Sequence, residues 1–297
     1  MIHSRRGVTI IELLIAMVIA AILGAATLSL MMSQSRFTER AEGQRAGRRV
    51  GRSAINVLSN DLRMVDPDWG IEAASASSIT VKVPYALGVV CSAAYVSPNT
   101  TQVIALLPVD SVVLNLGGYS GYATRGNTGV YTAVAGGTVT DNGALTSTCT
   151  SAPANVFAIA APSSAPNQKT RQITIVVNAG SDVRVAVGTP VMLYRRTNFY
   201  FGNSNQTGLS GRTALWRNYL DGGGSAVELA APFDASAAFR FFNQAATVSQ
   251  TAVPSPLTDI KGFELFLPGE SDLTARKASG PEQADVTTAI FLVNRAS

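Results

Sequence analysis

The sequence predicts an α+β fold in which a long N-terminal helix packs on an antiparallel β-sheet. Three observations predict it. An apolar run extends from Val8 to Met32, a helical repeat continues it to about residue 66, and short β-branched segments fill the rest of the 297 residues. We therefore expect a transmembrane helix at 8–32, its continuation at 33–66, and a β-rich globular domain at 67–297.

The apolar run is long enough to cross a bilayer. Its 25 residues would form a helix of roughly 37 Å, against a hydrocarbon core of ~30 Å. It is also longer than the core of an ordinary signal peptide. Glu12 is its only ionisable side chain. A carboxylate inside hydrocarbon indicates a function, unless Glu12 lies shallow enough to reach the headgroups; the sequence leaves both readings open.

The helical pattern continues beyond the membrane. Apolar side chains recur at steps of three and four residues, which indicates one buried helix face: Val50, Ala54, Val57, Leu58, Leu62 and Val65. Pro67 and its neighbours end the pattern, because proline cannot continue a helix. The predicted helix has about 58 residues and a length of roughly 87 Å.

Three glycines, Gly43, Gly47 and Gly51, are spaced four residues apart on this helix. They could form a smooth stripe where another helix packs closely. The alternative is local flexibility, since each glycine weakens a helix by about 1 kcal/mol.

The composition changes after residue 70, where charges become sparse. Short β-branched runs separated by Gly, Pro, Asn and Asp predict antiparallel strands, in one large or two small units: "SITVKV", "QVIALLPVDSVVLNL", "RQITIVV", "VMLYRRTNFYF", "GFELFL" and "TTAIFLV". The Gly/Ser/Thr-rich stretch at about 115–154 is expected to be an insertion of loops and irregular strands, or a disordered segment.

The N-terminal stretch "RRGVTIIELLI" resembles the class III prepilin signal of type IV pilins and type II secretion pseudopilins. The resemblance implies a pilin-like fold and a leader at residues 1–7. A prepilin peptidase would cut between Gly7 and Val8 and methylate the new amine of Val8. Glu12 would then neutralise the N-terminal amine of a neighbouring pilin or pseudopilin during assembly. The valine at position 8 departs from the family, in which Phe, Met or Leu is common.

The resemblance also implies a location. The chain would cross the inner membrane once, with its N-terminus cytoplasmic and its C-terminal domain periplasmic, and would later reach the pilus or cell surface. A count of charges predicts the reverse orientation, because only two arginines precede the span and six follow it within twenty residues. We follow the processing motif.

The C-terminal part carries a second resemblance. The segments "VMLYRRTNFYF", "GRTALWRNYL", "DIKGFELFL" and "TTAIFLVNR" are similar in order to PilW-like minor pilins and to the J-type minor pseudopilin of type II secretion. The Arg-Asn pair near the end of that group is reversed here, as Asn294 and Arg295. The implied function is a PilW-like minor pilin acting in pilus assembly or initiation, with the J-type pseudopilin as alternative. A membrane-anchored adhesin or DNA-uptake receptor is an alternative of another class.

The sequence contains two cysteines, Cys91 and Cys149. In the oxidising compartment that the resemblance implies, a disulfide between them is favoured and would stabilise the domain by about 2–4 kcal/mol. The alternative is two separate buried thiols. Zinc binding is disfavoured, because two cysteines without a nearby histidine do not complete a site.

Catalysis is not expected. The only histidine, His3, lies in the predicted leader, so the processed chain would contain no His-dependent triad and no H-E-x-x-H motif. No phosphate-binding P-loop occurs, and Ser120 fails the G-x-S-x-G pattern because Tyr122 replaces the last glycine. The protein is therefore not expected to be an enzyme or to need a cofactor.

Metal and nucleic-acid binding receive little support. Asp66 and Asp68, or Asp221, could contribute to a calcium site, but no EF-hand spacing surrounds them. Asp66 and Asp68 are more simply part of the turn that stops the helix. Loss of the leader would leave 21 basic and 19 acidic residues of the 23 and 19 in the whole chain. The arginines concentrate just beyond the membrane, where anionic lipid and acidic partners compete as explanations.

Overall fold

A computed structural model describes residues 9–112, 115–126, 131–145, 149, 170–243, 247–272 and 280–292. The predicted leader lies outside this range, and so do Gly7, Val8 and the Asn294–Arg295 pair. The cleavage and methylation positions therefore have no structural description.

One long helix, α1, extends from Ile10 to Leu62 and confirms the predicted N-terminal helix. It ends a few residues before the predicted limit. The carboxylate of Asp66 accepts the backbone N–H groups of Asp68 and Trp69, at 2.9 and 3.3 Å, and so closes a turn in place of a further helical turn. Among the described helices, α1 alone is long and apolar enough to cross a membrane, and the apolar side chains of its first half are exposed.

The second half of α1 buries one face. The buried residues follow the predicted three- and four-residue steps: Gly47, Gly51, Ala54, Leu58 and Leu62. They face the β-domain, whose strands β10, β12 and β13 contact α1. The amphipathic pattern read from the sequence is therefore correct.

The rest of the described chain is mainly β-structure. The elements after α1 are, in order, β1 Ile71–Ala74, β2 Ser78–Val96, β3 Asn99–Leu106, α2 Pro108–Val112, β4 Gly121–Arg125, β5 Tyr131–Ala135, β6 Thr138–Ala144, β7 Arg171–Asn178, β8 Pro190–Asn203, β9 Thr213–Tyr219, β10 Val227–Phe233, β11 Ala238–Asn243, a short 3-10 helix at Leu257–Asp259, β12 Ile260–Glu270 and β13 Gln283–Phe291.

All thirteen strands belong to one hydrogen-bonded sheet with antiparallel pairing. Its main path is β11-β12-β10-β9-β8-β2-β3-β7-β6. Strand β1 joins the sheet at β2, β13 at β12, and the β4–β5 pair at β8. The sequence was compatible with either one large or two small β units. The structure shows that the described strands form a single sheet.

Three apolar clusters lie on this sheet in the described residues, two large ones and a small one that contains Cys91 and Cys149. The larger joins α1 to the sheet through residues such as Leu58, Phe199, Phe263 and Leu265. The second lies toward the other end, around Tyr122, Ile173 and Leu193. The helix therefore packs mainly on the part of the sheet that contains β10, β12 and β13, and it also contacts β2.

Two sequence expectations change. The run Gln102–Leu116 was expected to be one strand, but β3 ends at Leu106 and α2 follows. Pro108 suits the first position of a helix, and the carboxylate of Asp110 accepts the backbone N–H of Leu87 at 2.9 Å. The described part of the 115–154 insertion contains β4, β5 and β6, so it is more regular than expected.

Candidate functional site

Glu12 lies at the N-terminal end of α1 and closes its cap. The side chain of Thr9 accepts the backbone N–H of Glu12 at 3.4 Å, and the Glu12 carboxylate accepts the backbone N–H of Thr9 at 3.0 Å. The Thr9 hydroxyl also donates to the same carboxylate oxygen, Oε2, at 3.0 Å. This reciprocal arrangement is a capping box, which stabilises the start of a helix.

The geometry explains how a carboxylate can be placed in this apolar helix. Glu12 is in the first turn, where the partial positive charge of the helix N-terminus favours an anion. The side chain is exposed and reaches back toward Thr9. Among the described residues only its Oε2 accepts a hydrogen bond, so Oε1 is available to a cation.

The glycine stripe packs closely, but on strands and not on another helix. A Cβ atom at Gly47 would lie 2.5 Å from the carbonyl oxygen of Gly269 in β12. At Gly51 it would lie 2.8 Å from a methyl carbon of Val286 in β13. Gly43 faces Glu282, whose Cβ would be 2.9 Å away. At Gly47 and Gly51, glycine is therefore required for the helix backbone to approach the sheet this closely.

Ion pairs surround the close contact between α1 and β12. The guanidinium of Arg212 donates to the carboxylate of Glu270, from Nε at 3.0 Å, and to the carbonyl oxygen of Ser271 at 2.8 Å. The side chain of Glu270 is 9% exposed. Arg40 of α1 pairs with Glu282 at 3.6 Å. These contacts fix the ends of β12 and β13 beside the glycine stripe.

The opposite face of α1 is basic and exposed. Arg45, Arg48, Arg49 and Arg52 line a shallow groove with Ser53 and Asn56. The spacing of these arginines at i, i+3, i+4 and i+7 places them on one side of the helix. We call these four residues the arginine face. The sequence located the arginines on α1 but did not show that they form one face turned away from the sheet.

Cys91 of β2 and Cys149 form a disulfide. The bridge is buried together with Val89 and Ala105. It ties the chain after β6 to the central strands of the sheet. The alternative of two separate thiols does not hold in this structure.

The residues considered for calcium or catalysis do not converge. Asp66 is buried in its turn, where desolvation raises the pKa of its carboxyl, whereas Asp68 is exposed. Asp221 pairs with Arg196 at 3.2 Å. Ser120 is buried, and its hydroxyl oxygen accepts the backbone N–H of Arg196 at 2.7 Å. The described residues include no group of three or more His, Cys, Asp or Glu side chains that could hold a metal ion.

Comparison with known families finds one match, at the N-terminus. Residues 2–28 match the prokaryotic N-terminal methylation motif. No curated protein and no solved structure matches the chain. The motif and the long helix on an antiparallel sheet define the class as a prepilin with an N-terminal methylation motif.

The matched motif is pilin-like, so the N-terminal part of the chain is similar to that of type IV pilins and pseudopilins. The motif implies processing by a prepilin peptidase. The exposed apolar helix is consistent with anchoring in the inner membrane. Pilin-like proteins are structural and generally not enzymes.

Proposed function

We propose that the protein is a PilW-like minor pilin of a type IV pilus, a structural subunit that acts in pilus assembly or initiation. The observation that carries this proposal is the N-terminal part of α1. There the methylation motif coincides with an exposed apolar helix, and the carboxylate of Glu12 caps the first turn of that helix. This is the arrangement of a subunit that inserts its helix among the helices of its neighbours.

The size of the β-domain supports a minor role. A thirteen-stranded sheet on a single helix is bulky, and repeated packing along a filament favours smaller domains. A bulky domain is best accommodated at the tip or in a priming complex. The C-terminal resemblance to PilW-like proteins, at "GRTALWRNYL" and "DIKGFELFL", points the same way.

The proposed mechanism has three steps. The peptidase removes residues 1–7 on the cytoplasmic face and methylates the amine of Val8. That amine and Glu12 of a neighbouring subunit then form an ion pair, which offsets the cost of placing each charge in an apolar bundle. Finally α1 leaves the bilayer for the filament, while the β-domain remains on the periplasmic side and later at the cell surface.

Substitution of Glu12 tests this proposal. We expect Glu12→Ala to be processed normally, because the cut lies five residues earlier, but to be depleted from sheared filaments. Glu42→Ala is the matched control, since it removes a carboxylate from the same helix beyond the predicted span. Equal amounts of Glu12→Ala and wild type in the filament fraction would contradict the assembly role.

The J-type pseudopilin of type II secretion is the second candidate, because the same C-terminal segments resemble it. Neighbouring genes separate the two: pilus motor and retraction components favour the pilus, and a secretin with other pseudopilins favours secretion. We do not propose an adhesin or DNA-uptake receptor, since nothing in the described part of the chain favours one.

A further inference from the structure

The arginine face is turned away from the body of the protein. Successive helical residues are rotated by about 100°, so a face at positions 45, 48, 49 and 52 lies on the side opposite Gly47, Gly51 and Ala54. Those three residues are buried against the sheet, and all four arginines are exposed. The arginine face is therefore the side of α1 that neighbouring helices can reach.

No carboxylate within the described residues neutralises this face. The recorded ion pairs include none of its four arginines. Much of the acidity of the β-domain is already used by its own cations, as in the pairs Glu72–Arg196, Asp141–Arg171, Asp182–Arg184, Glu264–Arg240 and Glu270–Arg212. Water solvates these arginines while the face is exposed, but when a neighbouring helix covers the face the compensating charge has to come from that neighbour.

The membrane is too far away to supply that charge. Counted from Met32, Arg45 lies about 20 Å and Arg52 about 30 Å further along the helix axis. Exposed charges are largely screened beyond about 8 Å at physiological ionic strength. Headgroups near Met32 can therefore act on Arg36 but not on the arginine face.

The same helix segment of a second copy does not supply that charge either. Between Arg36 and Arg52 the helix carries six arginines and only two glutamates, a net charge of +4. Two such segments side by side would bring like charges together, which is unfavourable at a close interface. The arginine face thus selects against self-packing.

We propose that the arginine face binds the helix of a different pilin-like subunit, one that carries carboxylates at the matching i, i+3, i+4 and i+7 positions. This inference rests on the proposed function, because it is assembly that brings helices against this side of α1. Burying the arginines without partners would be strongly unfavourable. Arg–carboxylate pairs can be bidentate, so they would also set the register between the two helices.

Photo-crosslinking in cells of the native host tests the proposal on the full chain. A benzoylphenylalanine at Ser53 places the probe in the groove beside Arg49 and Arg52, and one at the exposed Ser181 of the β-domain is the control. We expect the Ser53 probe to yield an adduct with the extramembrane helix of another pilin-like subunit. Mass spectrometry of the crosslinked peptide identifies its acidic positions.

Charge reversal then tests the chemistry. Arg48→Glu with Arg52→Glu should lower the Ser53 adduct about tenfold, because attraction becomes repulsion. Replacing the facing carboxylates of the partner by lysine should restore the adduct. Arg184→Glu with Lys261→Glu changes the net charge equally on the β-domain and should leave the adduct unchanged. Formation of the Cys91–Cys149 disulfide reports folding of each variant.

Several outcomes would overturn the proposal. One is a Ser53 adduct with the wrong partner: a second copy of this chain, lipid, nuclease-sensitive DNA, or a helix without carboxylates. Another is an adduct whose yield is unchanged by charge reversal. The last is the absence of any Ser53 adduct in cells that assemble the protein. Filament fractionation and N-terminal mass spectrometry on the same cells report the proposed function separately. Failure of the arginine face is therefore distinguishable from failure of that function.

Discussion

The contact between Gly47 and Gly269 gives the sharpest prediction on stability. Replacing Gly47 by alanine would place a Cβ atom 2.5 Å from the Gly269 carbonyl oxygen and 2.9 Å from its carbonyl carbon. This part of β12 cannot easily move away, because Gly269 pairs with Ala284 of β13 and with Phe233 of β10. The clash therefore has to be relieved by separating α1 from the sheet.

The expected net effect combines two opposing contributions. Alanine is a better helix former than glycine by about 1 kcal/mol. Overpacking costs about 1–3 kcal/mol, and contact with a fixed backbone places Gly47 at the upper end. We expect Gly47→Ala to lower the free energy of unfolding by about 2 kcal/mol. For a domain of this size that corresponds to a fall in Tm of about 4–8 °C.

Two neighbours on the same helix are matched controls. Gly43→Ala would place its Cβ 2.9 Å from the Cβ of Glu282 and 3.3 Å from that of Ser271, with no main-chain atom this close, and should cost about 1 kcal/mol or less. Gly51→Ala meets the Val286 side chain at 2.8 and 2.9 Å and should fall between the two. Urea unfolding of the detergent-solubilised chain, followed by tryptophan fluorescence, measures all three. A Gly47→Ala variant as stable as wild type, or less affected than Gly43→Ala, would refute the reasoning.

Three further predictions concern the β-domain and the end of α1 that packs on it. Cys91→Ser opens a disulfide between positions 58 residues apart and should cost about 2–4 kcal/mol of unfolding free energy in urea titrations. Arg212→Met leaves the largely buried carboxylate of Glu270 without its cation and should cost about 3 kcal/mol by the same assay. Burial raises the pKa of the Asp61 carboxyl, so above the ordinary aspartate pKa of 3.8 the folded state retains a proton that the unfolded chain releases. The free energy of unfolding of wild type should therefore fall as the pH rises from 3.8 toward neutrality. Asp61→Asn should lack this loss, so its urea midpoint should exceed that of wild type at pH 7 but not at pH 3.

Each of these predictions has its own control. Reduction by dithiothreitol should bring wild type to the stability of Cys91→Ser and leave the variant unchanged. Adding Glu270→Gln to Arg212→Met should recover part of the loss, since the uncompensated charge is removed. A stability difference between Asp61→Asn and wild type that is independent of pH would show that the Asp61 carboxyl does not titrate differently in the folded chain.

The elements with strong periodicity could be predicted from the sequence. The face containing Ala54, Leu58 and Leu62 repeats at helical spacing, and the β-branched runs at Ile79–Val83 and Ile173–Val177 lie in strands. Such patterns reflect burial on one side of an element, and burial is what the sequence records most directly.

Other features depend on contacts that a single sequence does not reveal. The glycine stripe that begins at Gly43 indicated that another element packs closely on α1. That element is a β-strand and not a helix, and its contact residue Gly269 lies more than two hundred positions after Gly47 in the sequence. The segment at Pro108 reads as β-branched, yet contacts of Asp110 and Ser111 favour a helical turn. Strands β4–β6 lack the alternation of apolar and polar residues that is typical of a half-buried strand. They are defined by hydrogen-bonded pairing with neighbouring strands, which a single sequence does not reveal.

The proposed function requires that the chain is processed as a prepilin and used through its new N-terminus. Mass spectrometry of the protein extracted from membranes tests it most directly, by defining the first residue and its modification. We predict a chain that begins at Val8 and carries a methyl group on the α-amine. A chain that begins at any other residue, or at an unmethylated Val8, would contradict the claim.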